Sequence, residues 1–178
     1  MLAYTGLRWG EAASLRAHRL DLHQRRLRVA TTFYEVNGVQ EEGLPKSGKR
    51  RTVPIPQSLV PDLETVLDGR GKKDLLFTTA QGHSLRSHNW RVREFNAAVK
   101  AAELDDEGLT PHKLRHTAAS LAIAAGADVK VLQQMLGHAD AAMTLNIYGH
   151  LFPDRLDEVA AALDTQRATV LSQRGAAV

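Results

Sequence analysis

Hydrophobic and polar positions follow two periods along this chain, and the shorter period predicts a small β region. Residues 26–31 alternate between polar and apolar side chains, as a half-buried strand does. Asn37-Gly38 is a turn signal, and residues 40–45 and 51–55 are predicted to pair with each other across Ser47-Gly48. We therefore expect one antiparallel sheet of three strands.

The longer period is helical, and it occurs on both sides of this β region. Gly6 is predicted to end a first helix, and further helices are predicted over residues 8–17, 61–67 and 89–102. The last of these is expected to turn four apolar side chains inward: Trp90, Val92, Phe95 and Val99. With the strands, these helices predict an α+β fold that is mainly α-helical.

The last third of the chain is predicted to hold four helices in succession. Three of them begin at residues whose side-chain oxygens can cap a first turn: Thr110, Asp128 and Asp140. The first two are expected to end near glycines: Gly126 and Gly137. The final helix, after Pro153, carries one apolar stripe: Leu156, Val159 and Leu163.

Composition limits the chain to a single domain with a real core. Its 178 residues are 43% hydrophobic, and no segment approaches the roughly 18 uninterrupted apolar residues of a membrane span. Cysteine is absent, which excludes disulfides and thiolate zinc sites and fits a cytoplasmic location. The net charge is only +3, so a surface for an acidic partner must come from local clusters such as residues 46–51.

A histidine and an arginine at the start of one predicted helix are candidate phosphate ligands. His112 and Arg115 are three residues apart, so they share a face near backbone donors that attract anions. The guanidinium of Arg115 matches two phosphate oxygens, and Arg8 offers the same fork from another helix start. A lone arginine more often forms an ion pair at the surface, so the prediction of a phosphate site depends on these residues occurring together.

His138 and Tyr148 add a hydrogen-bond donor and a possible nucleophile. His138 follows a glycine, which lets a ligand approach closely, and its ring can donate to a phosphate oxygen. A free phenol has a pKa of about 10 and is more often a packing group, but nearby cations stabilise its phenolate. His116 is expected to support the site from beneath and not to bind phosphate.

Residues 43–50 nearly spell a nucleotide-binding P-loop. Arg50 stands where that loop needs a magnesium-binding serine or threonine, and a strand is predicted to follow where a helix is required. As a turn, the segment would project Lys46 into a groove, where its ammonium could protonate a departing alkoxide. Lys49 is the competing residue for that role.

In their order along the chain, these motifs resemble the catalytic domain of the tyrosine recombinases, also called phage-type integrases. The resemblance covers residues 5–148, includes Glu11, and fills the family's catalytic set: Arg8, Lys46, His112, Arg115, His138 and Tyr148. It implies that Tyr148 attacks a DNA phosphodiester, giving a 3′-phosphotyrosyl link and a free 5′-hydroxyl. It also implies that Lys46 is the general acid, that His112 transfers a proton or donates a hydrogen bond, and that no metal, ATP or other cofactor is needed.

The resemblance also implies a domain organisation and partners. Residues 1–152 are expected to form the catalytic core and residues 153–178 a helical tail, within one domain. Relatives carry a further, N-terminal core-binding domain, so we expect this chain to be a fragment or a truncated gene product. Double-stranded DNA is the expected partner. The protein is expected to form a tetramer on DNA and a monomer without it, with the last helix docked on a neighbouring protomer or on its own core.

Three functions remain open from the sequence. The first is DNA strand cleavage and rejoining in site-specific recombination or integration. The second is a DNA-binding module of the same fold that does not cut. The third is a metal-dependent phosphoesterase that uses the histidines, although the chain lacks a ligand pattern such as His-Glu-x-x-His.

Overall fold

The structure is a computed structural model that describes residues 1–104 and 108–175, so the end of the predicted tail lies outside the described residues. Its helices are α1 (Leu2–Thr5), α2 (Trp9–Ala13), α3 (Val60–Leu67), α4 (Ser87–Trp90), α5 (Asn96–Ala101), α6 (Pro111–Ala124), α7 (Val129–Leu136), α8 (Ala141–Tyr148) and α9 (Leu156–Gly175). Its strands are β1 (Leu20–Asp21), β2 (Arg26–Val29), β3 (Thr32–Val36), β4 (Val39–Gly43) and β5 (Arg51–Pro54). The predicted α+β fold, mainly α-helical with a small antiparallel sheet of three strands, is confirmed.

The strand pairing differs from the predicted one. The three-stranded sheet has the order β1-β2-β5, whereas β3 and β4 form a separate two-stranded hairpin around Asn37-Gly38. The predicted pairing of residues 40–45 with residues 51–55 is therefore wrong. Leu27 and Val53 are register partners, and both are buried in the core, while the side chains of β4 stay largely exposed. Burial of apolar side chains selected β2 as the partner of β5.

Two apolar clusters hold the helices around the sheet. The first lies between the inner face of the sheet, α2 and α3, and includes the fully buried Leu27, Val53 and Leu76. The second joins α6, α7 and α8 through Leu132, Leu136 and neighbouring side chains. In addition, α1 packs along α6, and α7 contacts β5. The starts of α2, α6 and α8 thereby come close to the end of α7.

The predicted starts of α6, α7 and α8 are confirmed by their capping bonds. Thr110 Oγ1 accepts a hydrogen bond from the Lys113 backbone N–H at 3.2 Å. Asp128 and Asp140 accept equivalent bonds at 2.7 and 2.8 Å from backbone N–H groups three residues later. Each cap satisfies a backbone donor that has no partner within its own helix.

Two helix predictions need correction. The helix expected over residues 8–17 stops at Ala13, because Leu15 and Ala17 instead form backbone hydrogen bonds with residues 74–76. The helix expected over residues 89–102 contains a π-helical segment, Arg91–Phe95. Val92 in this wider turn is 54% exposed, so it does not face inward as predicted, whereas Phe95 is buried. An extra residue in one turn rotates the side chains that follow it.

The final helix extends away from both clusters. Every described side chain of α9 is exposed, including the predicted apolar stripe, in which Leu156 reaches 75% exposure. The alternative in which this helix packs on its own core is therefore wrong. Among the described residues, no helix is long and apolar enough to cross a membrane.

Candidate active site

All six residues that the sequence analysis assigned to the site line one cavity of about 300 Å³. They come from four separate parts of the chain: the start of α2, the turn before β5, the first half of α6, and the region from the end of α7 to the end of α8. Other lining residues include Ser47, His116 and Gly137. The fold therefore brings together side chains that lie up to 140 positions apart, between Arg8 and Tyr148.

Arg115 is fixed at the floor of the cavity by backbone carbonyls. Its Nη1 donates to the Gly6 carbonyl and its Nη2 donates to the Leu136 carbonyl at 2.8 Å, and the residue is only 3% exposed. Gly6 has a left-handed φ of 63°, and a Cβ atom there would lie 2.7 Å from the Leu136 side chain. Burial, and next the charge of Arg8, lower the pKa of Arg115 to about 10. Its guanidinium is thus oriented before any ligand arrives.

A buried carboxylate next to the cavity joins Arg8 to Arg51. Glu11 accepts hydrogen bonds from Arg51 Nη1 and Nη2 at 2.8 and 2.7 Å and from the Arg8 backbone N–H at 2.8 Å. It also forms a 3.3 Å ion pair with the Arg8 side chain. Burial acts to raise the pKa of Glu11, but the bonds and charge of Arg51 outweigh it, so the pKa lies below its usual value.

Arg51 was not identified from the sequence as part of the site. Its position in a basic run resembles an ordinary solvated cluster, and its bond to Glu11 crosses 40 residues. Its Nε also donates to the Met135 carbonyl at 3.0 Å, at the end of α7. The only local signal was Glu11 itself, which lies three residues after Arg8, where a glutamate commonly caps a helix start.

His138 is held by a hydroxyl that the sequence analysis did not identify. Its Nδ1 lies 2.9 Å from Thr144 Oγ1, and both residues are buried. Burial, followed by the charges of Arg115, Arg8 and Arg51, lowers the pKa of His138 to about 4. The imidazole is therefore neutral at neutral pH. No local motif marks Thr144, which lies six residues further along the chain.

The phenol of Tyr148 is bonded to a second histidine. Tyr148 Oη lies 2.9 Å from His116 Nδ1, and Tyr148 is 3% exposed. Burial raises the pKa of Tyr148, while the charges of Arg115 and Arg8 act in the opposite direction. Burial also lowers the pKa of His116, with further contributions from His112 and Arg115. His116 thus contacts the phenol directly, whereas the sequence analysis expected it only to support the site from beneath.

The two candidate lysines line different cavities. Lys46 is exposed at the second position of a turn closed by the 2.7 Å bond from the Gly48 N–H to the Pro45 carbonyl, and it lines the cavity with Tyr148. Lys49 lines a neighbouring cavity of about 350 Å³, together with Lys130. Within the described ranges, no group of three or more His, Cys, Asp or Glu side chains could hold a metal ion.

Comparison with known proteins gives a consistent set of relatives. The profile of the phage integrase family matches residues 1–155. The tyrosine recombinase XerD of Vibrio cholerae is 32% identical over 166 residues, which cover 89% of this chain and 50% of the relative. A prophage phiRv2 integrase of Mycobacterium tuberculosis is 35% identical over 170 residues, which cover 92% of this chain and 44% of the relative. The chain thus spans about half the length of the curated relatives it matches.

Solved structures show the same similarity. The Tn1549 transposon integrase in complex with a circular intermediate DNA has a TM-score of 0.73 at 25% identity, over 92% of this chain and 56% of that one. The XerH site-specific recombinase bound to its difH substrate has a TM-score of 0.65 at 27% identity, over 90% of this chain and 44% of that one.

Proposed function

This chain belongs to the phage integrase family, and from that premise we propose that it cuts and rejoins DNA as the catalytic domain of a tyrosine-type site-specific recombinase. The observation that carries the proposal is the shared cavity. A phenol, two guanidinium groups, an ammonium and imidazoles surround a space of about 300 Å³. Such a set suits a phosphodiester, because guanidinium, ammonium and imidazole groups can donate to its oxygens and a phenol can attack its phosphorus.

The phosphate is proposed to be held by Arg8, Arg115 and His138. Carbonyls occupy one donor on each Nη of Arg115, and the remaining N–H groups of the guanidinium stay available for phosphate oxygens. We assign Nδ1 of His138 as the acceptor of the Thr144 hydroxyl hydrogen, which leaves its Nε2–H to donate to the phosphate. These donors stabilise the charge that develops on the non-bridging oxygens in the transition state.

The reaction then exchanges one ester for another. Tyr148 Oη forms a bond to phosphorus as the bond to the 5′-oxygen breaks, leaving the 3′-phosphate on the tyrosine. Lys46 gives its proton to the departing 5′-oxygen, and in the reverse step a 5′-hydroxyl displaces the phenol. The ester conserves the energy of the broken bond, so the proposed reaction uses no metal ion, nucleotide or other cofactor.

Double-stranded DNA is the proposed partner. The similar Tn1549 integrase was solved in complex with a circular intermediate DNA, and the similar XerH recombinase was solved bound to its difH substrate. In this chain a hollow of about 540 Å³ on the outer face of the sheet is lined by four arginines: Arg19, Arg26, Arg28 and Arg50. Such a cluster attracts a phosphate backbone without reading its sequence. We further propose that the protein acts in the cytoplasm, where we expect its DNA substrate to lie.

The exposed α9 supports a proposal about assembly. We propose that residues 1–152 form the core and residues 153–178 a tail, and that the tail docks on a neighbouring protomer when four chains assemble on DNA. Without DNA the protein would be a monomer. The support is the exposed apolar stripe of α9, since such stripes usually mark a contact surface. The double variant Leu156→Asp, Leu163→Asp should leave the monomer folded but reduce the mass of DNA complexes in analytical ultracentrifugation.

The nucleophile can be tested without knowing the target sequence. The chain is incubated with a pool of nicked duplexes of randomised sequence, in which a short 5′-hydroxyl strand leaves after cleavage and traps the covalent product. Wild type should give an adduct that survives denaturation, and Tyr148→Phe should give none. Capture by Tyr148→Phe would show that another residue attacks. DNA binding by wild type without any capture would favour the module that does not cut and would overturn the proposed function.

A further inference from the structure

We propose that His116 is the general base of this site, and that its Nδ1 takes the proton from Tyr148 as the phenol attacks phosphorus. The inference rests on the proposed function. It extends that function because the resemblance assigned proton transfer or hydrogen bonding to His112, and the sequence analysis gave His116 only a supporting place.

The contact between the two groups carries the inference. His116 Nδ1 and Tyr148 Oη lie 2.9 Å apart, and their ring centroids lie 5.5 Å apart. A general base must be within about 2.6–3.2 Å of the oxygen whose proton it removes. His116 follows Arg115 directly on α6, so the helix that binds the phosphate also holds the base. No rearrangement is needed to bring the two atoms together.

The other two histidines of the cavity are engaged elsewhere. His138 bonds Thr144 through Nδ1, and its ring lies parallel to the Tyr148 ring at a centroid distance of 6.4 Å. The rings of His112 and His116 form a T-shaped pair, with their centroids 4.8 Å apart. Of the three histidines that line this cavity, His116 is the one bonded to the phenol oxygen. The two histidines are thus proposed to have different roles: His138 donates a hydrogen bond to the phosphate, and His116 accepts the hydrogen bond of the phenol.

The charges around His116 favour a ring that is neutral before the reaction. Burial, then the neighbouring His112 and Arg115, lower its pKa, which favours the neutral ring at neutral pH. The proposal places the proton of this ring on Nε2, so that the lone pair of Nδ1 faces the phenol. The groups that face it are Tyr148 from α8 and, on α6 itself, His112 and Arg115. A bound phosphodiester adds a negative charge near His116. This charge stabilises the imidazolium that forms when His116 takes the proton of Tyr148.

The proton balance closes over the full cycle. In cleavage, the phenol O–H bond breaks, His116 gains the proton, the oxygen attacks phosphorus, and Lys46 protonates the 5′-oxygen. In rejoining, the 5′-hydroxyl gives its proton back to Lys46, and His116 returns its proton to the departing phenolate. Each residue ends in its starting state, and no outside reagent is consumed.

Two chemical substitutions separate the base from the acid. The measurement is the single-turnover rate of adduct formation on duplexes captured by wild type. His116→Ala should slow this rate by roughly 10²- to 10⁴-fold, the usual contribution of general-base catalysis. A fluorinated tyrosine at position 148 is more acidic, so its phenol ionises more readily without a base. With this tyrosine, the rate of His116→Ala should be within about tenfold of the rate of the protein that carries the same fluorinated tyrosine and an intact His116. A duplex with sulfur in place of the 5′-bridging oxygen should not rescue His116→Ala, because that change helps only the leaving group.

Further variants test whether His116 acts only by packing. The amide oxygen of His116→Asn can accept the phenol hydrogen bond but cannot take a proton, so its loss in rate should match that of His116→Ala. The exposed His23→Ala is the control for loss of an imidazole and should keep the wild-type rate. A full rate in His116→Asn, or equal losses in His116→Ala with both phenols, would overturn the proposal.

A measurement without DNA separates this inference from the proposed function. The ¹⁵N shifts of His116, assigned with His116→Asn, report which ring nitrogen carries the proton. The proposal requires a proton on Nε2 and a bare, hydrogen-bonded Nδ1 at pH 7.5. A proton on Nδ1 would overturn it even if wild type captures DNA. If wild type captures no duplex, the proposed function fails, whatever these shifts show.

Discussion

The carboxylate of Glu11 is joined to Arg51 by two hydrogen bonds, at 2.8 and 2.7 Å, although 40 residues separate them. Glu11 is 2% exposed, and Arg51 also donates to the Met135 carbonyl at 3.0 Å. The pair therefore connects α2 with β5 and the end of α7. Because these elements carry Arg8 and lead to His138, the ion pair holds together the parts of the chain that present two of the proposed phosphate ligands.

Replacing this carboxylate should destabilise the protein strongly. Glu11→Gln leaves the buried Arg51 charge without its partner, which costs about 3 kcal/mol in comparable buried pairs. The free energy of unfolding in urea measures this loss. Glu158→Gln is the matched control, since its 2.7 Å pair with Arg155 is largely exposed and should change stability by less than about 1 kcal/mol. Equal effects of the two variants would contradict the structural role of Glu11.

The two lysines of the turn should differ in their effect on cleavage. Lys46 lines the cavity with Tyr148, whereas Lys49 lines the neighbouring one. Lys46→Ala should slow adduct formation by roughly 10²- to 10⁴-fold, and Lys49→Ala by less than about tenfold. The duplex with sulfur at the 5′-bridging position should restore Lys46→Ala, because a thiolate leaves without a proton. Failure of that rescue, with a slow Lys46→Ala, would assign the lysine to phosphate binding alone.

Acid should destabilise the protein through His138. Its pKa is lowered from an ordinary value near 6.5 to about 4, so between these two values the unfolded chain binds a proton that the folded chain does not. Stability is therefore lost as the pH falls through this window. Between pH 7 and pH 5 the loss from this one group is about 2 kcal/mol.

Urea unfolding of wild type and His138→Gln at both pH values isolates that contribution. The glutamine cannot titrate, so the variant should lose about 2 kcal/mol less than wild type over the same interval. Other groups, including Glu11, titrate in both proteins and cancel in the comparison. The same dependence in both proteins would mean that folding does not lower the pKa of this imidazole.

The β3–β4 hairpin should be displaced by a single methyl group on α2. A Cβ atom at Gly10 would lie 2.1 Å from the Phe33 carbonyl oxygen and 2.6 Å from Thr32 Oγ1, so one of the elements must move. Gly10→Ala should cost about 1–3 kcal/mol in thermal or urea unfolding. Gly149→Ala should be close to neutral, because within the described part of the chain no heavy atom beyond its own neighbours lies within 4 Å of the new carbon. Wild-type stability in Gly10→Ala would show that the hairpin is not packed on α2.

Local signals predicted the helical part of the site. Thr110, Asp128 and Asp140 each form their capping bond within three residues, so the sequence alone contains both partners. These caps fix where α6, α7 and α8 begin. For this reason the sequence could place Arg115 in the first turns of α6, His138 just after α7, and Tyr148 in α8.

Contacts between distant residues were not predicted. The Asn37-Gly38 turn was recognised, but the partner of β5 depended on which strand could bury its side chains beside Val53. Likewise, the packing of separate elements against each other brings His116 to Tyr148 and Arg51 to Glu11. Spacing along the chain does not show these contacts. Sequence spacing reports neighbours on one element, and these pairs join separate elements.

The cavity places Arg115 beside the positive charges of Arg8 and Arg51, and the buried carboxylate of Glu11 offsets only part of that repulsion. An anion bound in the cavity would reduce this repulsion. Its binding should therefore be visible as a rise in the melting temperature of the protein. A thermal-shift plate of short duplexes, or of compounds that mimic a phosphodiester, would then identify ligands without any assay of catalysis.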